Sequence, residues 1–317
     1  MISDRLRPAA WRQVNDSVRS HRMVVAQSSD RRRLGWLLAG VGMLSVSTDS
    51  LWIRLSEADA IDVSFWVACC SIPLYTALSH RVDRCWPLEA FRRHPWQQLV
   101  IGVLTGGSQL CFVIAVTQTR IANVVAIVAA VPLLAAVSAW IWLKERISRK
   151  TALAIAITMG GIGAIVSSSV GEPTLSGDLL GVLAIVGFSV SLTMWRRYPD
   201  MSRLVGLSIG GVMTVAALVY SASPLSLDLR AYLSIAAMGL VFNPFGRLGL
   251  SNAPRYAPVA DVALFAPIET VAGTIWAAAF FSEYPRPVAA VGAAIVLIGV
   301  FYGTIATTRP GAQAAPG

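Results

Sequence analysis

The sequence predicts an all-α integral membrane protein with ten transmembrane helices arranged as two inverted five-helix repeats. Three observations predict it. Hydrophobic residues make up 55% of the 317-residue chain and charged residues only 14%, where soluble domains carry about 25% charged residues. The apolar residues fall into stretches of roughly 20, the length that crosses a hydrocarbon core. The basic residues collect in alternate connections between those stretches, the pattern of a chain that crosses a membrane repeatedly.

The stretches fall at Leu34–Ile53, Ile61–Ser79, Leu99–Val116, Ile121–Leu143 and Thr151–Val170. A second set follows at Leu179–Trp195, Leu204–Ser221, Ala231–Leu250, Val259–Phe281 and Val288–Ala306. In lipid each backbone polar group must be paired within its own segment, so these runs should be helices. Small residues such as Gly160-Gly161-Ile162-Gly163 suit close helix packing. The organisation is then a basic cytoplasmic tail at 1–33, a first repeat at 34–170, a second at 171–306 and a tail at 307–317. The first tail is polar and Arg-rich without the apolar core of a signal peptide. The last tail is rich in Ala, Pro and Gly, a composition that favours disorder.

The connecting charges test the count. With the N-terminus in the cytoplasm, 22 of the 26 Lys and Arg residues fall on the cytoplasmic side. Only Arg54, Arg120, Arg230 and Arg286 fall on the other. A wrong number of spans would scramble this bias, so both termini are expected in the cytoplasm. The same placement accounts for the net charge of +9 without a nucleic-acid partner. The four cysteines lack metal-ligand spacing and a disulfide framework.

An internal repeat is visible. The segments Val131–Glu145 and Glu269–Glu283, which run through the ends of the fourth and ninth stretches, each close an apolar run with Glu. Gly161 and Gly299 follow those closing glutamates by sixteen residues each. The pairs Trp52/Arg54 and Trp195/Arg197 repeat as well. Five crossings is an odd number, so the halves sit upside down to one another, a recurring build of secondary transporters with the site at the repeat interface.

These residues carry a family resemblance. The run from Ala122 through Pro132 to Leu143-Lys144-Glu145-Arg146 is one part of it. Arg255-Tyr256-Ala257-Pro258-Val259-Ala260, Ile268-Glu269-Thr270-Val271 and Ser282-Glu283 are the other. The chain resembles the drug/metabolite transporter superfamily in its EamA-type branch, over Leu34 to Ala306. It departs at Thr270, where such members often have Pro, and at Ser282, where they often have Gly. The resemblance implies a ten-helix bundle around a central cavity in the inner or plasma membrane. It implies export or exchange of small organic metabolites, such as amino acids or related compounds, without ATP or a cofactor.

Polar side chains inside the stretches are the candidate site residues, because burying them in lipid is costly. Asp49 lies in the tract Ser45-Val46-Ser47-Thr48-Asp49-Ser50, and Glu269 well inside the ninth stretch. A carboxylate in that setting can hold a proton or a substrate amine. Arg247 is a natural partner for Glu269 and can equally clamp a substrate carboxylate or reach the interface. Asn243-Pro244 precedes it, and the proline frees a backbone carbonyl. Gln109, which the repeat aligns with Arg247, and Asn123 are further cavity candidates. Trp52, Trp66 and Trp276 are aromatic candidates for stacking on a substrate, while Trp142 suits an interface belt. Pro132, Glu145 and Glu283 are read as structural, the glutamates accepting bonds from a neighbouring helix or a loop Arg such as Arg146. No metal ligands are expected.

The alternatives are an integral-membrane enzyme, a channel or a non-transporting membrane assembly protein. Against an enzyme, His21, His80 and His94 all lie outside the apolar stretches or at their edge. No Gly-Lys-Ser/Thr phosphate loop is present, which argues against ATP-driven transport by this chain alone. The expected partners are a small-molecule substrate, protons or a counter-substrate, and membrane lipid, in a monomer or homodimer.

Overall fold

The structure, a computed structural model, describes residues 33–82, 86–144, 147–223, 225–253, 256 and 265–308. Every regular element among them is helical. In chain order these are α1 (Arg33–Leu55), α2 (Ala60–Val82), α3 (Pro87–Arg93) and α4 (Pro95–Gln118). Next come α5 (Ile121–Val128), α6 (Val131–Leu143), α7 (Arg149–Ser167) and α8 (Leu175–Arg197). The remainder are α9 (Arg203–Leu218), α10 (Leu229–Leu250), α11 (Ala266–Phe281) and α12 (Pro287–Thr308). Six helices (α1, α2, α4, α7, α8 and α10) are long and apolar enough to cross a membrane. The α5–α6 pair, bent by 41°, makes a seventh. Shorter apolar helices occupy Arg203–Leu218, Ile268–Phe281 and Pro287–Gly303.

Local chemistry sets the ends. The Ser148 and Ser202 hydroxyls and the Asp228 carboxylate accept the Thr151, Val205 and Ala231 amides at 3.1, 3.2 and 2.9 Å, capping α7, α9 and α10. Proline opens α3, α4 and α12, where its missing N–H costs nothing. The fourth apolar stretch, expected as one helix, is two. Pro132 cannot donate to the carbonyl of Val128 and its ring crowds that group, so α5 stops at Val128 and α6 restarts at Val131. The basic connection after α2 holds a helix the hydropathy pattern missed, α3, opened by Pro87.

The bundle turns large apolar side chains outward as well as inward. Leu37, Val103, Leu153, Leu183, Leu233 and Ile298 point outward, while Ser47, Thr158, Ser189, Thr193 and Asp178 are buried. Small and hydroxylated residues let helix backbones approach; Ser47 and Thr193 donate to carbonyls of their own helix, and Ser189 donates to the Val131 carbonyl of α6 at 3.2 Å. One tight seam joins α7 to α12. A Cβ on Gly161 would stand 2.7 Å from the Gly292 carbonyl oxygen, and one on Gly292 would stand 2.8 Å from that of Gly161. A second seam joins α4 to α9, where a Cβ on Gly106 would meet the Gly210 carbonyl at 2.6 Å.

The four arginines set apart by the charge count are each tied down. The Arg54 guanidinium pairs with Glu283 at 2.7 Å and donates to the Val116 and Thr119 carbonyls at the end of α4. Arg120 donates to the Tyr284 carbonyl at 2.7 Å, Arg230 pairs with Glu57 at 2.7 Å, and Arg286 pairs with Glu172 at 3.3 Å. The other oxygen of Glu283 accepts the Ile121 amide at 3.3 Å, so this carboxylate joins three segments. Lys144 and Ser282, each just ahead of a repeated Glu, are both left-handed, at φ 57° and 53°. Glu145, Arg146 and Pro258 lie outside the described residues, as do the tails at 1–32 and 309–317.

A second polar knot escaped the sequence reading. The fully buried Asp178 carboxylate accepts the Thr119 and Ser169 hydroxyls at 2.7 Å each. The Asn123 amide reaches both of its oxygens at 3.2 Å. Asn123 is therefore turned to a structural carboxylate.

Candidate functional site

Helical spacing assembles the site. On α4, Thr105, Ser108, Gln109 and Phe112 fall at i, i+3, i+4 and i+7, one face of a helix. On α1, Met43, Val46 and Asp49 recur every third residue. On α10, Asn243 and Arg247 are one turn apart. All but Asn243 line one cavity of about 200 Å³, together with Val128, Pro132, Ala184, Phe188, Leu250 and Glu269 among others. A smaller cavity of about 50 Å³ lies on the other side of Gln109 and Arg247, against Ser64, Ser71, Tyr75 and Asn243. The Arg247–Gln109 pair thus forms the partition between two hollows.

Asn243 is the hub. Its amide nitrogen donates to Asp49 Oδ2 at 2.5 Å. Its oxygen accepts the Tyr75 hydroxyl at 3.1 Å and Arg247 Nε at 2.9 Å. Arg247 Nη2 donates to Gln109 Oε1 at 2.9 Å. The guanidinium also lies over the Phe188 ring, 5.9 Å from its centroid, a cation–π arrangement. The backbone under the hub is irregular: residues Ala237–Phe242 form a π-helical turn. Pro244 has no N–H for the Leu240 carbonyl and its ring crowds that oxygen. The wider turn absorbs the mismatch inside a continuous helix.

Glu269 does not stand mid-helix, as the apolar run suggests; it lies in the first turn of α11. A helix start favours a carboxylate, whose charge meets the positive end of the dipole. No ion pair joins Glu269 to Arg247 among the described residues. The two interact at longer range, and Asp49 lies within the electrostatic reach of both. Arg247 also leaves the cytoplasmic charge tally, because its guanidinium sits inside the bundle.

The aromatic candidates spread out. Trp52 stacks on Phe242 at 5.2 Å between centroids, and Trp66 packs edge-on to Phe65 and Tyr232. Trp276 donates to the Ser47 hydroxyl at 3.2 Å and leans on Phe280. None of the three is among the residues lining either cavity. Asp49, Gln109, Arg247, Glu269 and Pro132 line the larger one. Sequence reasoning missed Tyr75, Phe112 and Phe188. The signal for Phe112 was its register with Gln109; Tyr75 and Phe188 had none beyond ordinary apolar content.

Comparison with known proteins follows the same lines. Residues 33–167 match the EamA-like transporter family. No curated protein matches the sequence. One solved crystal structure superposes with a TM-score of 0.62 at 16% identity, covering 88% of this chain and 100% of that one. At that identity the likeness is one of fold.

Proposed function

We propose that this chain, an EamA-type multi-pass membrane transporter of the drug/metabolite transporter superfamily, is a secondary transporter. It exports or exchanges small organic metabolites by alternating access between two inverted five-helix halves. The observation that carries this reading is the cavity of about 200 Å³. It brings Asp49, Gln109, Arg247 and Glu269 from four helices into one hollow with largely apolar walls, the build of a small-molecule site.

Ten spans are supported by adding the three shorter apolar helices to the six long ones and the bent pair. Ten spans also keep both termini on the basic, cytoplasmic side. The inverted repeat is supported by reciprocal contacts. A Cβ on Gly161 would meet Gly292 and Val296, and one on Gly299 would meet Ala154 and Thr158. Advancing each first-half residue by the Gly161-to-Gly299 offset turns one set of contacts into the other, as a two-fold axis between α7 and α12 requires. The same offset carries Gln109 onto Arg247, and those two side chains bond to each other.

The test is transport. Purified protein in sealed liposomes should move at least one compound from a broad metabolite panel, driven by a pH gradient or a counter-substrate. Glu269→Gln should abolish pH-driven uptake and keep exchange. Uptake of nothing under either gradient refutes the transporter reading, and full pH dependence in the variant refutes the role of Glu269. An enzyme would instead form product in detergent, without any gradient.

A further inference from the structure

We infer that the central cavity takes an ammonium ligand with an apolar body and no carboxylate, in preference to a zwitterion or an anion. This rests on the reading of that cavity as the transport site, and it narrows the substrate class.

The argument is a donor and acceptor count over the lining. The acceptors are in excess. Asp49 uses Oδ2 for Asn243, while its buried Oδ1 has no partner among the described residues. Glu269 makes no hydrogen bond or ion pair among the described residues and faces the same hollow. Thr105 and Ser108 have already given their hydroxyl hydrogens to the Ile101 and Leu104 carbonyls. They present only oxygen lone pairs to a ligand.

The donors are scarce. Arg247 is engaged through Nε, through Nη2 and through the ring face of Phe188, which leaves Nη1 as its nitrogen without a partner among the described residues. The buried donor without a partner is Gln109 Nε2, a neutral amide. Charge points the same way. With both carboxyls ionised, two surround one guanidinium, and the cluster is one positive charge short of neutral. An uncompensated charge inside an apolar bundle is costly. A ligand ammonium supplies the missing charge and up to three N–H donors to the unpartnered oxygens. An incoming carboxylate would find only Arg247 Nη1 and the Gln109 amide, would be flanked by two like charges, and would leave those oxygens unfilled. The rest of the wall, including Phe112, Phe188, Ile185 and Leu250, is apolar and suits a hydrocarbon or aromatic body.

Three compounds with one body separate the cases: 2-phenylethylamine carries only the ammonium, phenylalanine both groups, and 3-phenylpropionate only the carboxylate. Binding to the purified full chain in detergent is measured by calorimetry. The amine is expected to bind at least tenfold tighter than phenylalanine, with 3-phenylpropionate weakest. Glu269→Gln should cost the amine at least tenfold in affinity, while Glu57→Gln, in the exposed pair with Arg230, should leave it unchanged. Equal or tighter binding of phenylalanine or 3-phenylpropionate overturns the inference, as does a folded protein that binds none of the three. If Glu269→Gln does not fold, the ranking of the three compounds on the unaltered chain still decides. Liposome uptake of the same set keeps the two readings apart. Uptake of phenylalanine but not the amine sinks the inference and leaves the transporter standing. Binding of the amine with no uptake of any panel compound does the reverse.

Discussion

Asp178 is the residue whose removal should cost the fold most. Its two oxygens receive the Thr119 and Ser169 hydroxyls and the Asn123 amide, all four residues being buried. It also sits in the first turn of α8, where the helix dipole adds about 0.3–1 kcal/mol. Asp178→Ala leaves three donors without an acceptor, each worth about 1–3 kcal/mol when buried and unpaired. The two hydroxyls can swing onto carbonyls of their own segments, as Thr117 does with Ile114, and recover part of that. Asn123 has no such alternative. The expected loss is about 4 kcal/mol, close to three decades in the folding equilibrium at ~1.4 kcal/mol per decade. Asp178→Asn keeps one oxygen but turns an amide N–H toward a donor, so about 2 kcal/mol is expected. Unfolding in detergent micelles by SDS titration, followed by circular dichroism, gives both numbers. A loss under about 1 kcal/mol for the Ala variant, or an Asn variant as damaged as Ala, would show that the carboxylate is not what organises the knot.

Other expectations concern the seam, the tie-downs and the left-handed caps. Gly161→Ala should lose about 1–3 kcal/mol by overpacking against Gly292 and Val296. Gly160→Ala and Gly163→Ala, whose added carbon meets nothing within 4 Å, should gain up to about 1 kcal/mol from helix propensity. The same SDS titration reads all three. Arg54→Ala unpairs Glu283 and two carbonyls, so it should cost about 2 kcal/mol once its partial exposure is discounted. Glu283→Gln keeps neutral acceptors and should cost about half that. Thermal melts that rank them the other way would place the weight on Glu283. Ser282→Gly should raise the melting temperature slightly, because glycine adopts φ 53° without a Cβ penalty, and Ser282→Val should lower it.

Much of this was open to inspection in the sequence, for a definite reason. A carboxylate or guanidinium inside an apolar run has few physically acceptable places, so Asp49, Arg247 and Glu269 declared themselves as interior polar groups. Gln109 followed from its alignment with Arg247. Asp178 did not, because it precedes the sixth apolar stretch by one residue and reads as a loop charge. Its partners Thr119, Asn123 and Ser169 come from three other segments, and no local pattern pairs them. The tryptophans lie away from both cavities for another reason. Trp66 and Trp276 lie in apolar runs, but hydropathy does not say which face of a helix meets a cavity, and both turn to neighbouring side chains. The break between α5 and α6 had a signal in Pro132, which a nearly unbroken apolar run concealed.

The backbone seam between α7 and α12 bears on how such a bundle can move. Side chains that interdigitate can repack into a second register; at Gly161 and Gly292 the backbones meet directly, and neither position has a side chain to repack. Separation there loses close backbone contacts that neither glycine can replace. On the alternating-access reading proposed above, the two helices would travel as one strut, and rearrangements that carry the Asp49–Arg247–Glu269 hollow from one side of the membrane to the other would be borne by the remaining helices. The π turn of α10 and the bend between α5 and α6 are where those helices already depart from rigid rods.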